Sequence, residues 1–270
     1  MPLSPLLLIG AGHMGGALLE GWLGKKLAPV VVVEPAPSAR LKRIAARNRI
    51  RVLSAIAAAP ARPRACVIAL KPQILAKDAP ELGYVARSGT LMISIAAGTT
   101  IESLARVWGP KAHIVRAMPN IAGAIGHGIT GLYAPAGVPR KDRVLAETLM
   151  SALGETVWVA RETLIDAVTA VSGSGPAYVF LMVEALAAAG EREGLPRVAA
   201  KRLARATLTG AGAILDRDSR DAKELRASVT SPKGTTAAAL AILMANKGGL
   251  KPLIARAVAA ARKRGAELGR

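Results

Sequence analysis

Short apolar runs alternate with longer segments whose apolar residues recur at helical spacing through the first part of the chain. Residues 6–9 (LLLI) and 30–33 (VVVV) are too short for helices and too apolar for exposed loops, so they predict buried strands. Runs at 51–53, 66–70, 91–95 and 113–116 extend the series. Between them lie helix-length segments, one beginning in the glycines after Ile9 and another that Ser38 can cap and that runs to about Asn48. Strands separated by such segments build a parallel sheet covered on both faces. After about Leu164 the pattern changes to Ala-rich helices around 177–192, 197–215, 222–229, 235–245 and 250–268, with no strand expected. The expected fold is therefore α/β: a doubly wound parallel sheet over 1–161, then an all-helical domain over 162–270.

Composition narrows the functional classes. Of 270 residues 51% are hydrophobic and only 20% charged, which excludes wholesale disorder, while aromatics at 3% require a core of small aliphatic side chains. The single cysteine, Cys66, cannot form an internal disulfide, and His13, His113 and His127 lie far apart, so no metal site is expected. The opening MPLSPLLLIGAG has no basic segment before its apolar run, which argues against a secretory signal. The uncharged stretch 117–139 is broken by Pro119, Pro135 and glycines, which argues against a membrane span. A cytoplasmic protein without membrane partners is expected. The net charge of +19 is the one feature pointing to nucleic acid, but the cations are spread over helix-like segments and read better as a solvated basic surface.

The chemistry-bearing motif is Gly10-Ala11-Gly12-His13-Met14-Gly15, a GxGxxG sequence placed between a strand and a helix. In that setting glycines permit a tight turn, and backbone amides at the helix start can face a pyrophosphate, as in Rossmann dinucleotide sites. Glu34 ends the second strand, where an acidic side chain can accept hydrogen bonds from the adenosine ribose. That favours NAD, whereas Arg40 and the basic surface could accommodate the extra phosphate of NADP, and the sequence leaves both open. Ala69-Leu70-Lys71-Pro72, Ala96-Ala97 and Asn120 follow later strands and are expected to line the same crevice.

These residues, taken with motifs outside the nucleotide signature, resemble the pyrroline-5-carboxylate reductase family nearly end to end. The matching segments are GAGHMGGALLEG (10–21), ALKPQ (69–73), ISIAAGTTI (93–101), VRAMPN (115–120), DAVTAVSGSGPAYVF (166–180), EALAAAGEREGLPR (184–197) and VTSPKGTT (229–236). The chain departs from the family pattern at Lys233, where a glycine is usual, at Ile121-Ala122 and Gly126-His127-Gly128, and at Asp221-Ala222, where His-Pro is usual.

The resemblance implies reduction of 1-pyrroline-5-carboxylate to L-proline with NADPH, or NADH in its place. It implies that Ser174 and Gly175 approach the nicotinamide and that Glu162 lies near substrate. Ser231 and the amides of Gly234 and Thr235 would hold the carboxylate, and Thr236 would hydrogen-bond the ring nitrogen. From the residues alone, the hydroxyls of this 231–236 segment are equally explained as helix caps. The resemblance further implies a homodimer at minimum, extending in some members to a ring of dimers, with the active site between domains. The competing readings are a related imine or 3-hydroxyacid oxidoreductase, and a nucleotide-sensing or nucleic-acid-binding protein.

Overall fold

The computed structural model describes residues 4–27 and 29–268, so the first three residues of the opening segment lie outside the described residues. The chain forms two compact units. One runs to Gly173 and takes in the chain from Ala261 onward, and the other is Ser174–Ala260. The boundary expected at Arg161/Glu162 thus precedes the point where packing divides.

The first unit is built on an eight-stranded sheet. Its strands are β1 (Leu6–Ile9), β2 (Val30–Val33), β3 (Arg51–Leu53), β4 (Ala65–Ile68), β5 (Leu91–Ser94), β6 (His113–Met118), β7 (Gly128–Tyr133) and β8 (Gly154–Trp158). Their spatial order is β3-β2-β1-β4-β5-β6-β7-β8. The order reverses between β1 and β4, and the crevice outside the carboxyl ends of those two strands is where open α/β sheets bind ligands.

Alternation along each strand divides the core. Leu6, Leu8, Val30, Val32, Val67 and Ile93 face one layer, with Leu18, Leu19 and Trp22 of α1 (His13–Gly24). Leu7, Ile9, Val31, Val33, Cys66 and Ile68 face the other, with Leu75 of α3 (Pro72–Asp78) and Trp108 of α5 (Ile101–Trp108). Both tryptophans are fully buried, and each indole N–H donates to a carbonyl, Trp22 to Leu149 at 2.9 Å and Trp108 to Ala79 at 2.8 Å. Helices α2 (Ala39–Asn48), α4 (Gly83–Arg87), α6 (Arg140–Met150) and α7 (Leu164–Val168) complete the described helices of this unit that precede residue 173. Ser38 caps α2 as its position predicts, accepting the Leu41 N–H at 3.2 Å.

The sheet is parallel as expected except at one pair. β7 runs antiparallel to β6, while β8 returns parallel to β7. Neither β7 nor β8 is evident in the sequence, because glycine weakens strand patterning. The glycines are there because the backbones approach closely. A Cβ on Gly128 would lie 2.7 Å from backbone atoms of Gly123, one on Gly154 would lie 2.1 Å from the Gly128 carbonyl oxygen, and one on Gly131 would meet the Val168 side chain.

The second unit is helical: α8 (Gly175–Arg192), α9 (Arg197–Arg217), α10 (Ala222–Ser228), α11 (Thr235–Leu243) and the greater part of α12 (Leu250–Leu268). Helices α8 and α9 pack along each other. A Cβ on Gly190 would sit 3.4 Å from that of Ala200, so small residues allow this approach. Asp221 starts α10 by a local device. Its carboxylate accepts the Glu224 N–H at 2.8 Å and Glu224 accepts the Asp221 N–H at 3.2 Å, a reciprocal capping box.

Among the described residues one helical run, Leu164–Arg192, is long and apolar enough by length and composition to cross a membrane. Val179, Phe180 and Leu181 within it are exposed in the single chain.

Candidate active site

In the first unit the glycines of the 10–15 motif have separable tasks. Gly10 takes φ +85, and a Cβ there would lie 2.9 Å from the Ala69 carbonyl oxygen, so the turn off β1 needs glycine. A Cβ on Gly15 would lie 2.1 Å from the Gly10 carbonyl oxygen and 3.1 Å from Ala69 Cβ, which keeps α1 tight against the strand ends. Gly12 is different, because nothing lies within 4 Å of the position its Cβ would take. It is the N-cap of α1, and no side chain caps that helix, so first-turn amides stay available to an anion beside the open glycine.

Glu34 is fixed rather than loose. One carboxylate oxygen accepts the Ala11 N–H at 2.9 Å and the other accepts the Ala36 N–H at 3.2 Å. It lines a cleft of about 700 Å³ together with Gly10, Gly12, His13, Ala69, Leu70 and Lys71. Ala69 enters the cleft because its N–H donates to Ile9 at 2.8 Å, extending the β1–β4 pairing by one bond, and Lys71 is the N-cap of α3 with Pro72 beginning the helix. Of the expected residues, Gly10, Gly12, His13, Glu34, Ala69, Leu70 and Lys71 are therefore brought together in this cleft. Ala11 and Met14 line a neighbouring cavity of about 350 Å³, which also includes Glu20, Ser38 and Arg40. Arg40 pairs with Glu20 at 2.7 Å.

Pro72, Ala96, Ala97 and Asn120 line neither space. They sit just past the carboxyl ends of β4, β5 and β6, on the same edge of the sheet. Ala96 donates its N–H to the Ser94 hydroxyl at 3.3 Å. The side-chain oxygen of Asn120 is buried without a hydrogen-bond partner among the described residues.

Glu162 is committed within its own unit. A single oxygen of its carboxylate accepts the Ile101 N–H at 2.7 Å and the Arg116 guanidinium at 2.9 Å. Arg116 lies inside the VRAMPN segment and is a candidate functional residue that its motif does not single out. The signal is a charged side chain in the middle of the strand His113–Met118, since a buried arginine demands a counter-charge. Cys66 is fully buried, and desolvation pushes its thiol far above the ordinary range, which removes it as a nucleophile. No group of three or more His, Cys, Asp or Glu side chains that could hold a metal occurs among the described residues.

In the second unit, Ser174 and Gly175 open α8, with Pro176 in its first turn, directly after the wide π-type turn Thr169–Gly173. The 231–236 turn is strained and open. Lys233 adopts φ +58, left-handed backbone at a position where the family usually has glycine. Gly234 is extended, at φ −79 and ψ 172, and is the N-cap of α11. A Cβ on Gly234 would fall 2.3 Å from the Ser231 hydroxyl oxygen. No side chain caps α11, so the hydroxyls are not spent as caps. Among the described residues, no hydrogen bond involves the hydroxyls of Ser231, Thr235 or Thr236. Three hydroxyls and the first amides of a nine-residue helix are thus free to meet a small anion.

Residues 162–268 match the family described as pyrroline-5-carboxylate reductase dimerisation, and residues 6–98 match the family described as NADP oxidoreductase coenzyme F420-dependent. The chain is 39% identical over 265 residues to the pyrroline-5-carboxylate reductase of Pseudomonas aeruginosa, covering 97% of this chain and 96% of that one. A solved pyrroline-5-carboxylate reductase from Coxiella burnetii superposes with a TM-score of 0.91 at 32% identity, covering 99% of both chains. The Plasmodium falciparum pyrroline carboxylate reductase, solved with NADP bound, gives 0.81 at 27% identity, covering 100% of both. The GxGxxG turn, the fixed Glu34 and the uncapped 231–236 turn therefore belong to a member of the pyrroline-5-carboxylate reductase family.

Proposed function

We propose that this chain reduces 1-pyrroline-5-carboxylate to L-proline, the last step of proline biosynthesis, using NAD(P)H. The observation that carries the reading is the uncapped start of α11 with its unbonded hydroxyls, in a chain of this family. The cofactor supplies hydride to the imine carbon when bound. The chain's own residues bind and orient. The amides after Gly12 receive the pyrophosphate, Glu34 the adenosine ribose, and Ala69–Pro72, Ala96, Ala97, Asn120, Ser174 and Gly175 the remainder of the cofactor.

Ser231 and the amide of Thr235 hold the substrate carboxylate, favoured by the positive end of the α11 dipole, while the Gly234 amide, expected to join them, donates to the Ser231 carbonyl at 3.1 Å and fixes the turn. The Thr236 hydroxyl hydrogen-bonds the ring nitrogen, which becomes the amine of proline. A protonated imine is already electrophilic, so orientation contributes more here than a strong general acid. Glu162 acts near substrate through Arg116 and the start of α5. The division of labour follows the boundary after Arg161, with cofactor binding before it and substrate binding and assembly after it.

The assembly is a homodimer at minimum, and a ring of dimers is the next size up. The exposed apolar faces of α8 and α9, including Phe180, Leu181, Leu203 and Ile214, would cover one another between copies. A cytoplasmic setting fits the lone reduced Cys66. The test is the imine-dependent loss of reduced-nicotinamide absorbance with matching formation of proline. Salt-sensitive DNA binding without imine reduction would favour the nucleic-acid reading instead.

A further inference from the structure

Given the reduction assigned above, we infer that Glu34 makes this chain selective for NADH over NADPH. The two cofactors differ by one phosphate on the adenosine ribose, and Glu34 stands where an acidic side chain after β2 meets that ribose. Two backbone N–H groups, from Ala11 at 2.9 Å and Ala36 at 3.2 Å, bind opposite oxygens of its carboxylate. Swinging the side chain aside would break both bonds, of which the one to the Ala11 N–H is partly buried. Each oxygen still has acceptor capacity for a hydroxyl of the ribose diol. A 2′-phosphate offers that carboxylate no comparable donor and brings a second anion against a first that is held in place.

The rest of the cleft does not offset this. Its other charged side chains are Lys71, Asp78 and Glu81, so three carboxylates face one ammonium. Arg40, at the start of α2, is the guanidinium best placed in sequence to take a 2′-phosphate. Its partner is instead Glu20, at 2.7 Å, and it lines the neighbouring cavity rather than this cleft. Among the described residues, no guanidinium therefore lines the cleft that Glu34 occupies.

Equilibrium binding of NADH and of NADPH to the full-length protein without imine, read by isothermal titration calorimetry, tests this. The expected result is a Kd for NADPH at least about tenfold higher than for NADH. Glu34→Ser removes the charge and should bring the two constants within about threefold, mainly by tightening NADPH. Glu34→Gln keeps an acceptor for the Ala11 N–H, so it serves the same comparison if the serine variant fails to fold. Equal or tighter NADPH binding by the unaltered protein would overturn the assignment, as would an unchanged ratio in a folded variant. If NADPH is preferred while the imine is still reduced, only the selectivity falls; if neither cofactor binds, the functional reading falls with it.

Discussion

Arg116 on β6 and Glu162 after β8 meet at 2.9 Å across 46 residues of sequence, and the same carboxylate oxygen accepts the first amide of α5. Arg116 is 4% exposed, so its charge has been removed from water on the strength of that single partner. Removing one member of a buried pair leaves an uncompensated charge. Glu162→Ala should therefore lower stability by about 3 kcal/mol in chemical denaturation. Adding Arg116→Met should restore much of the loss, because the pair is then replaced by apolar packing. An undiminished midpoint for the single variant would show that the pair is incidental.

Thr236→Ala separates chemistry from folding. The threonine hydroxyl makes no internal hydrogen bond among the described residues, so its removal should move stability by less than about 0.5 kcal/mol. Loss of a hydrogen bond to the reacting nitrogen should cut kcat by about tenfold or more. Unchanged kinetics would take Thr236 out of the reaction.

Lys233 occupies left-handed backbone at φ +58. Lysine tolerates that conformation at a cost, and a β-branched side chain tolerates it far less. Lys233→Gly should leave the protein as stable or more so, and Lys233→Val should be at least about 1 kcal/mol less stable than the glycine variant, read as the difference in thermal midpoints at fixed pH. Equal midpoints would mean that the turn relaxes to another conformation.

Cys66 offers a check on the core between the β-sheet and its helices. Burial raises its thiol well above the ordinary range, so the native protein should not react with a thiol reagent and the denatured chain should yield one equivalent. The linkage has a definite sign. As the pH rises past the ordinary thiol range, the unfolded chain releases a proton that the folded chain retains, so this group's contribution to stability is present at neutral pH and falls in alkali. Prompt labelling of the native protein would contradict the buried placement.

The strands β1 to β6 were legible in the sequence because each is a short apolar run bounded by turns and helix-length segments. Strands β7 and β8 were not, since Gly128, Gly131 and Gly154 erase the alternation that marks a strand while making the close backbone approach possible. The GxGxxG turn was readable as a candidate cofactor turn from its setting alone. The 231–236 turn was not, because a cap and a ligand site use the same residue types. What separates them is backbone geometry, in which Lys233 and Gly234 set the turn so that no hydroxyl caps α11. The capping box at Asp221 is legible only as an Asp-x-x-Glu spacing, which is common on exposed helices.

The most direct test of the account is isotopic. Protein incubated with 1-pyrroline-5-carboxylate and nicotinamide cofactor deuterated at the transferred position should yield L-proline carrying one deuterium on the former imine carbon, in step with cofactor oxidised. Cofactor that binds but is never oxidised by the imine, or proline formed without the label, would contradict it.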